Sequence, residues 1–186
     1  MRLNYSGTLK VSIAHGKKII QTRTYKNQGT AKLFEFFCLC LAGQYDAAKN
    51  LRPMKLKLFN EQYENLPDPA NISVNNPASN IITVNKPSTI TKDTSVPIGT
   101  SGRDYNGYSL TLHYLIPFSY ITETSVDQAC LYSSDPANND DFLAYYLFED
   151  ENHQRLDPIT INSENKLTYN LIVEWTLMIE NQKKEN

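Results

Sequence analysis

Glycine is scarce in this sequence, with 7 in 186 residues. A loop that cradles phosphate through its backbone N–H groups needs several glycines at fixed spacing, and none is found. Cysteine is scarcer still, at 3, and an odd number cannot pair completely within the chain. Cys38 and Cys40 fall in an apolar helical pattern and Cys130 in a strand pattern, so all three read as buried free thiols. A Cys-x-Cys metal site would need further ligands nearby, and none is in view. Reduced thiols fit assembly in a cytoplasm. No run approaches the roughly 18 apolar residues of a membrane span, which argues against a membrane partner. "MRLNYSGTLK" holds no apolar stretch of signal-peptide length, so the glycosylation sequons at Asn4 and Asn71 carry little weight. An excess of one charge is missing too. Lysine plus arginine total 18 and aspartate plus glutamate 20, a net charge of -2 that argues against a dedicated nucleic-acid binder.

Motifs of catalysis are also wanting. His15 sits at a turn, His113 on the polar side of a strand and His153 in a charged loop. There is no His-Glu-x-x-His, no Cys-x-x-Cys and no Gly-x-Ser-x-Gly. The sequence therefore predicts no enzyme and no cofactor. One acidic cluster, "SSDPANNDDF", places Asp135, Asn138, Asp140 and Asp141 close together as hard oxygen donors for Ca²⁺. Its spacing is not that of an EF-hand, and the same residues are ordinary turn formers. No metal is expected.

What the sequence does contain is alternation. Leu9, Val11 and Ile13 alternate with Lys10 and Ser12, His15-Gly16 supplies a turn, and "KKIIQTRTYKN" returns as a second strand. In "TAKLFEFFCLCLAGQYDAAKN" the apolar Leu33, Phe34, Phe37, Cys40 and Leu41 recur at helical spacing. This predicts a buried helix of about three turns, beginning at Gly29 or Thr30 and stopping at Gly43. "PMKLKLFN" reads as a half-buried strand with Lys55 and Lys57 on a solvated face.

Texture changes between residues 61 and 106. Pro67, Pro69, Pro77, Pro87 and Pro97 punctuate a stretch rich in Asn, Ser and Thr, in which only "NIITVN" reads as a strand. Two readings stay open for it: an arm that orders along another subunit, and a surface excursion. Strands resume in "GYSLTLHYLIPFSYI", where Pro117 predicts an edge or a bulge. They continue in "VDQACLY" and "FLAYYLFE" and close with "KLTYNLIVEWTLMIEN". In this last stretch every second residue from Leu167 to Ile179 is apolar or aromatic. Such a strand completes a sheet from within or, left at an edge, pairs with a neighbour. The 12 tyrosines include Tyr108, Tyr114, Tyr145, Tyr146 and Tyr169 in or beside strands, where they suit sheet packing, subunit contacts or glycan stacking.

The predicted fold is mainly β: one domain over residues 1–186, an antiparallel β-sandwich with one packed α-helix and the long irregular 61–106 insertion. The predicted interface residues are Pro67, Pro69, Pro77, Pro87, Pro97, Tyr108, Tyr145 and Tyr146.

Two stretches carry a family resemblance. "GTLKVSIAHGKKIIQTRTYKNQGTAKLFEFFCLCLAG" with "RPMKLKLF", and "FLAYYLFEDENHQRLDPITINSENKLTYNLIVEWTLMIEN", resemble small virion proteins of tailed bacteriophages, particularly gut podoviruses related to the crAss-like group. The resemblance covers both ends, about half the chain, and brings no catalytic residue with it. It implies a virion structural protein assembled in the host cytoplasm, with a ring or collar adaptor at the portal–tail junction as the first expectation. Its partners would be further copies of itself in a symmetric ring or lattice, and portal, tail or capsid proteins. Capsid decoration and head-fibre or tail-fibre anchoring are alternatives within that class. A carbohydrate- or receptor-binding module using the tyrosines is the alternative outside it.

Overall fold

A computed structural model describes residues 2–26, 28–59, 80–97, 106–121, 125–126, 128–133, 142–147, 157, 159–160, 164 and 166–182. The chain opens with β1 (Arg2–His15) and β2 (Lys18–Lys26), joined by a tight turn at Gly16 with φ of 59°. Then come the short β3 (Gln28–Gly29), α1 (Ala31–Leu41), α2 (Tyr45–Ala48) and β4 (Pro53–Phe59). β5 (Asn80–Val84), β6 (Thr89–Pro97) and β7 (Asn106–Pro117) follow. The last strands are β8 (Ser125–Val126), β9 (Gln128–Ser133), β10 (Phe142–Leu147), β11 (Ile159–Thr160) and β12 (Tyr169–Gln182).

Two five-stranded sheets form a sandwich, as predicted. Sheet A runs β2-β1-β12-β7-β6 and sheet B runs β3-β10-β9-β4-β5, with every pairing antiparallel. Alternation fixes which face of sheet A turns inward. Leu9 and Val11 of β1, Leu112, Tyr114 and Ile116 of β7, and Leu171, Val173 and Trp175 of β12 are buried together with Leu56, Leu58, Ala129 and Leu131 of sheet B. Tyr114 ties the layers by donating its hydroxyl hydrogen to the Met54 carbonyl at 3.0 Å.

The closing strand is not at an edge. β12 lies at the centre of sheet A, paired with β1 from Arg2↔Gln182 to His15↔Tyr169 and with β7 from Ile179↔Tyr108 to Asn170↔Pro117. Its predicted start at Leu167 is two residues early, because Leu167 lies in an exposed turn. β7 is likewise an internal strand. Its ladder with β6 stops at His113↔Thr89, so Pro117 falls where only β12 flanks it and its missing N–H interrupts no pairing with β6.

Part of the 61–106 insertion is built into the sandwich. β5 was foreseen, but β6 was not, and together they join both layers: β5 pairs with β4 in sheet B and β6 with β7 in sheet A. The crossing between them buries Pro87. Residues 61–79 and 98–105 of the insertion lie outside the described residues.

Helix α1 begins after Thr30, which adopts extended backbone angles, and ends in a Schellman motif. Gln44 N–H donates to the Leu39 carbonyl at 2.9 Å and Gly43 N–H to Cys40 at 3.2 Å, with Gly43 at φ of 70°. The helix is not buried as its periodicity predicts. Leu33 is enclosed and Phe36 and Phe37 pack against the core, but Phe34 and Leu41 face solvent. Cys38 is exposed and Cys40 half-buried, so of the three free thiols only Cys130 is in the interior. Lys57 also departs from expectation. β9 is buried along its length, and beside it Lys57 is enclosed with its ammonium 4.5 Å from the Tyr132 ring centre, a cation–π contact.

Burial raises the pKa of Tyr25, Tyr114 and Cys130 in this interior. It pushes Tyr114 far above the ordinary tyrosine value, and it pushes the Cys130 thiol well up despite the opposing charge of Lys57. The folded chain then keeps protons that the unfolded chain releases, near pH 8.5 for cysteine and near pH 10 for tyrosine. The stability that depends on these protons is complete below those values and declines above them, by up to about 1.4 kcal/mol per pH unit for each group. Urea unfolding at pH 7 and at pH 11 should show the alkaline loss. Tyr114→Phe should reduce it above pH 10, while costing about 1 kcal/mol at pH 7 for the lost bond to Met54.

Candidate interaction surface

Helix α1 carries one wide apolar surface. Leu33 and Phe37 hold part of it against the sandwich. Beside them Phe34, Cys38 and Leu41 succeed one another at four- and three-residue spacing, and Tyr45 of α2 extends the row. This stripe is in water: Phe34 is 48% exposed, Leu41 75% and Tyr45 71%. The sandwich covers only part of the apolar surface, and Lys32 and Glu35, paired at 2.9 Å, mark the helix's polar side.

Beside the helix, α1 and sheet A enclose an apolar cleft of about 250 Å³. Phe36 and Phe37 form one wall, and Tyr108, Leu110, Leu177 and Ile179 the other, with Lys92 and Asp93 of β6 also lining it. Tyr108, predicted as an interface residue, is 62% exposed here. Pro97 closes β6 opposite Asn106. Tyr145 and Tyr146 lie in β10 opposite Cys130 and Ala129, and their side chains lie outside the described residues. So do Pro67, Pro69 and Pro77, the Asp135–Asp141 cluster and His153. Among the described residues no group of three or more His, Cys, Asp or Glu side chains could hold a metal ion.

The outer face of sheet A holds a polar network that the sequence did not announce. Lys10 Nζ lies 2.6 Å from Glu174 Oε2, Glu174 Oε1 lies 3.4 Å from His113 Nδ1, and His113 Nε2 shares a hydrogen bond with the Thr91 hydroxyl at 3.0 Å. Antiparallel register makes the line, setting Lys10 opposite Glu174 and Glu174 opposite His113. One row along, the Thr111 and Thr176 hydroxyls bond at 2.9 Å, and Ser12 and Thr22 meet at 3.0 Å. Carboxylate, imidazole and hydroxyl stand in the order of a hydrolytic triad. Yet Lys10 binds the carboxylate, and neither Thr91 nor His113 lines the cleft. The pairs are of the cross-strand kind that sets register and stiffens a sheet. His15 adds one more, stacking on Tyr169 with ring centres 5.0 Å apart.

Charge is unevenly divided along the chain. Residues 1–57 carry eleven basic and two acidic side chains, whereas residues 58–186 carry seven and eighteen. No carboxylate side chain precedes Glu35. The near-neutral total conceals this. In comparisons with known proteins, the chain matches no family model, no curated protein and no solved structure.

Proposed function

We propose that the chain is a structural subunit of a tailed-phage virion, a ring or collar adaptor at the portal–tail junction that works through protein contacts and performs no chemistry. The observation that carries this reading is the solvent-facing stripe of Phe34, Leu41 and Tyr45, which adjoins the face of the helix anchored on the sandwich. Anchoring makes the stripe a rigid apolar surface, so a partner covering it gains burial without ordering a flexible segment. The sandwich behind it provides stiffness through two full-length ladders at the centre of sheet A. The stretches that carry the phage resemblance include these same elements: β1, β2, α1 and β4 from one, β10 and β12 from the other.

Light scattering coupled to size-exclusion of the isolated chain tests the proposal, together with its copy number in particles. A ring adaptor is expected to form an oligomer of fixed multiple and to occur once per ring position. Hundreds of copies per particle would move the subunit to the capsid surface. A chain that stays monomeric at high concentration and occurs in no particle would defeat the proposal.

A further inference from the structure

Sheet A ends in two unlike edges. One is β2, where Ile19 and Ile20 are 49% and 50% exposed. The register slips between Ile13↔Gln21 and Ala14↔Ile19, leaving Ile20 as the extra residue of a bulge. A bulge bends its strand and spoils the edge for pairing, so what β2 offers is a protruding aliphatic pair. The other edge is β6, where the apolar cleft lies between α1 and the ends of β6, β7 and β12.

We propose that the chain associates head to tail, with the Ile19–Ile20 corner of one copy seated in the cleft at the opposite edge of the next. The inference rests on the structural-subunit reading and deepens it by naming a second contact, separate from the helix stripe, and the partner that makes it. Size agrees: an apolar cavity of roughly 150 Å³ holds a benzene-sized guest, and about 250 Å³ admits two aliphatic side chains. Placement agrees as well. The knob is on edge strand β2, and the cleft is lined by β6, β7 and the central β12 but not by β2, so the two meet only between molecules.

Charge decides against the symmetric alternative. Around the knob the hairpin of β1 and β2 bears Lys17, Lys18, Arg23 and Lys26 and no carboxylate side chain, so two hairpins facing each other across a twofold axis repel. The cleft is apolar apart from Ser109 and one base beside one acid, Lys92 and Asp93, so it carries no net charge to repel the hairpin. A contact between unlike patches repeats, closing into a ring when the rotation between copies divides a full turn.

Complementation tests this. Ile19→Asp/Ile20→Asp removes the knob. Tyr108→Asp spoils the cleft at an exposed position, and Tyr108→Lys serves as a second cleft variant if the first does not fold by circular dichroism. Each variant alone is expected to self-associate at least about 30-fold more weakly than wild type, the effect of losing one hot-spot anchor. Mixed in equal amounts, they should pair one to one through this contact, because one intact knob meets one intact cleft. If wild type assembles and the knob variant assembles equally well, or if folded variants fail to pair on mixing, the contact is refuted while the subunit reading stands. If wild type itself stays monomeric over the same range, both fall.

Discussion

Replacing Trp175 by alanine is expected to destabilise the fold by roughly 3–5 kcal/mol, a large share of the 5–15 kcal/mol that holds a domain of this kind together. Trp175 is the only tryptophan and is completely buried. It stands in the central strand of sheet A, opposite Leu9 on one side and Leu112 on the other. Truncation therefore opens a cavity where three strands and the facing sheet converge, and backbone locked into two ladders has little freedom to collapse into it. The measurement is urea unfolding followed by circular dichroism, since the variant lacks the fluorophore. Thr176→Ala, one residue along and half-buried on the opposite face, loses only a hydroxyl pair with Thr111 and should cost about 1 kcal/mol. Equal losses for the two variants would mean that the core is not where the alternation puts it.

A double substitution on the helix should separate folding from assembly. Phe34→Glu and Leu41→Lys replace two residues of the exposed stripe and leave Leu33 and Phe37 in place. The signs suit the helix dipole, with the acid near the N-terminal end and the base in the last turn. Stability should thus remain within about 0.5 kcal/mol of wild type. Self-association or binding to a partner should weaken by about 30-fold or more for each contact of hot-spot strength. Sedimentation at several concentrations reads this directly. Unchanged association would show that the stripe is not a contact surface.

Alternation is clearest where a strand has one face in the core and the other half-exposed. β12 was legible because Leu171, Val173, Trp175 and Leu177 go inward while Ile172, Glu174 and Thr176 stay half-exposed. β6 escaped notice because "TITKDTSVP" is an edge strand. Thr89 to Asp93 are all exposed, Ile90 included, so no alternation marks them. In α1 the period was right and the environment wrong. Spacing reports that Phe34 and Leu41 are apolar and helical, but not whether another element covers them. Lys57 was misplaced for a related reason: alternation in β4 gave its face, and only the fold shows that this face of sheet B is enclosed. The line from Lys10 through Glu174 and His113 to Thr91 draws on four strands and exists only through their register. No window of sequence contains it. The uneven charge, in contrast, lay in plain view and was averaged away by the total.

Because β12 is wedged between β1 and β7, synthesis imposes a delay. The segment at 2–15 leaves the ribosome long before the one at 169–182 is made, an interval on the order of ten seconds at usual elongation rates. Until then β1 has only β2 beside it, and the edge that β12 later fills stays open. Any polypeptide interrupted before residue 169 lacks the middle strand of that layer, which leaves β1 and β7 without the neighbour they share.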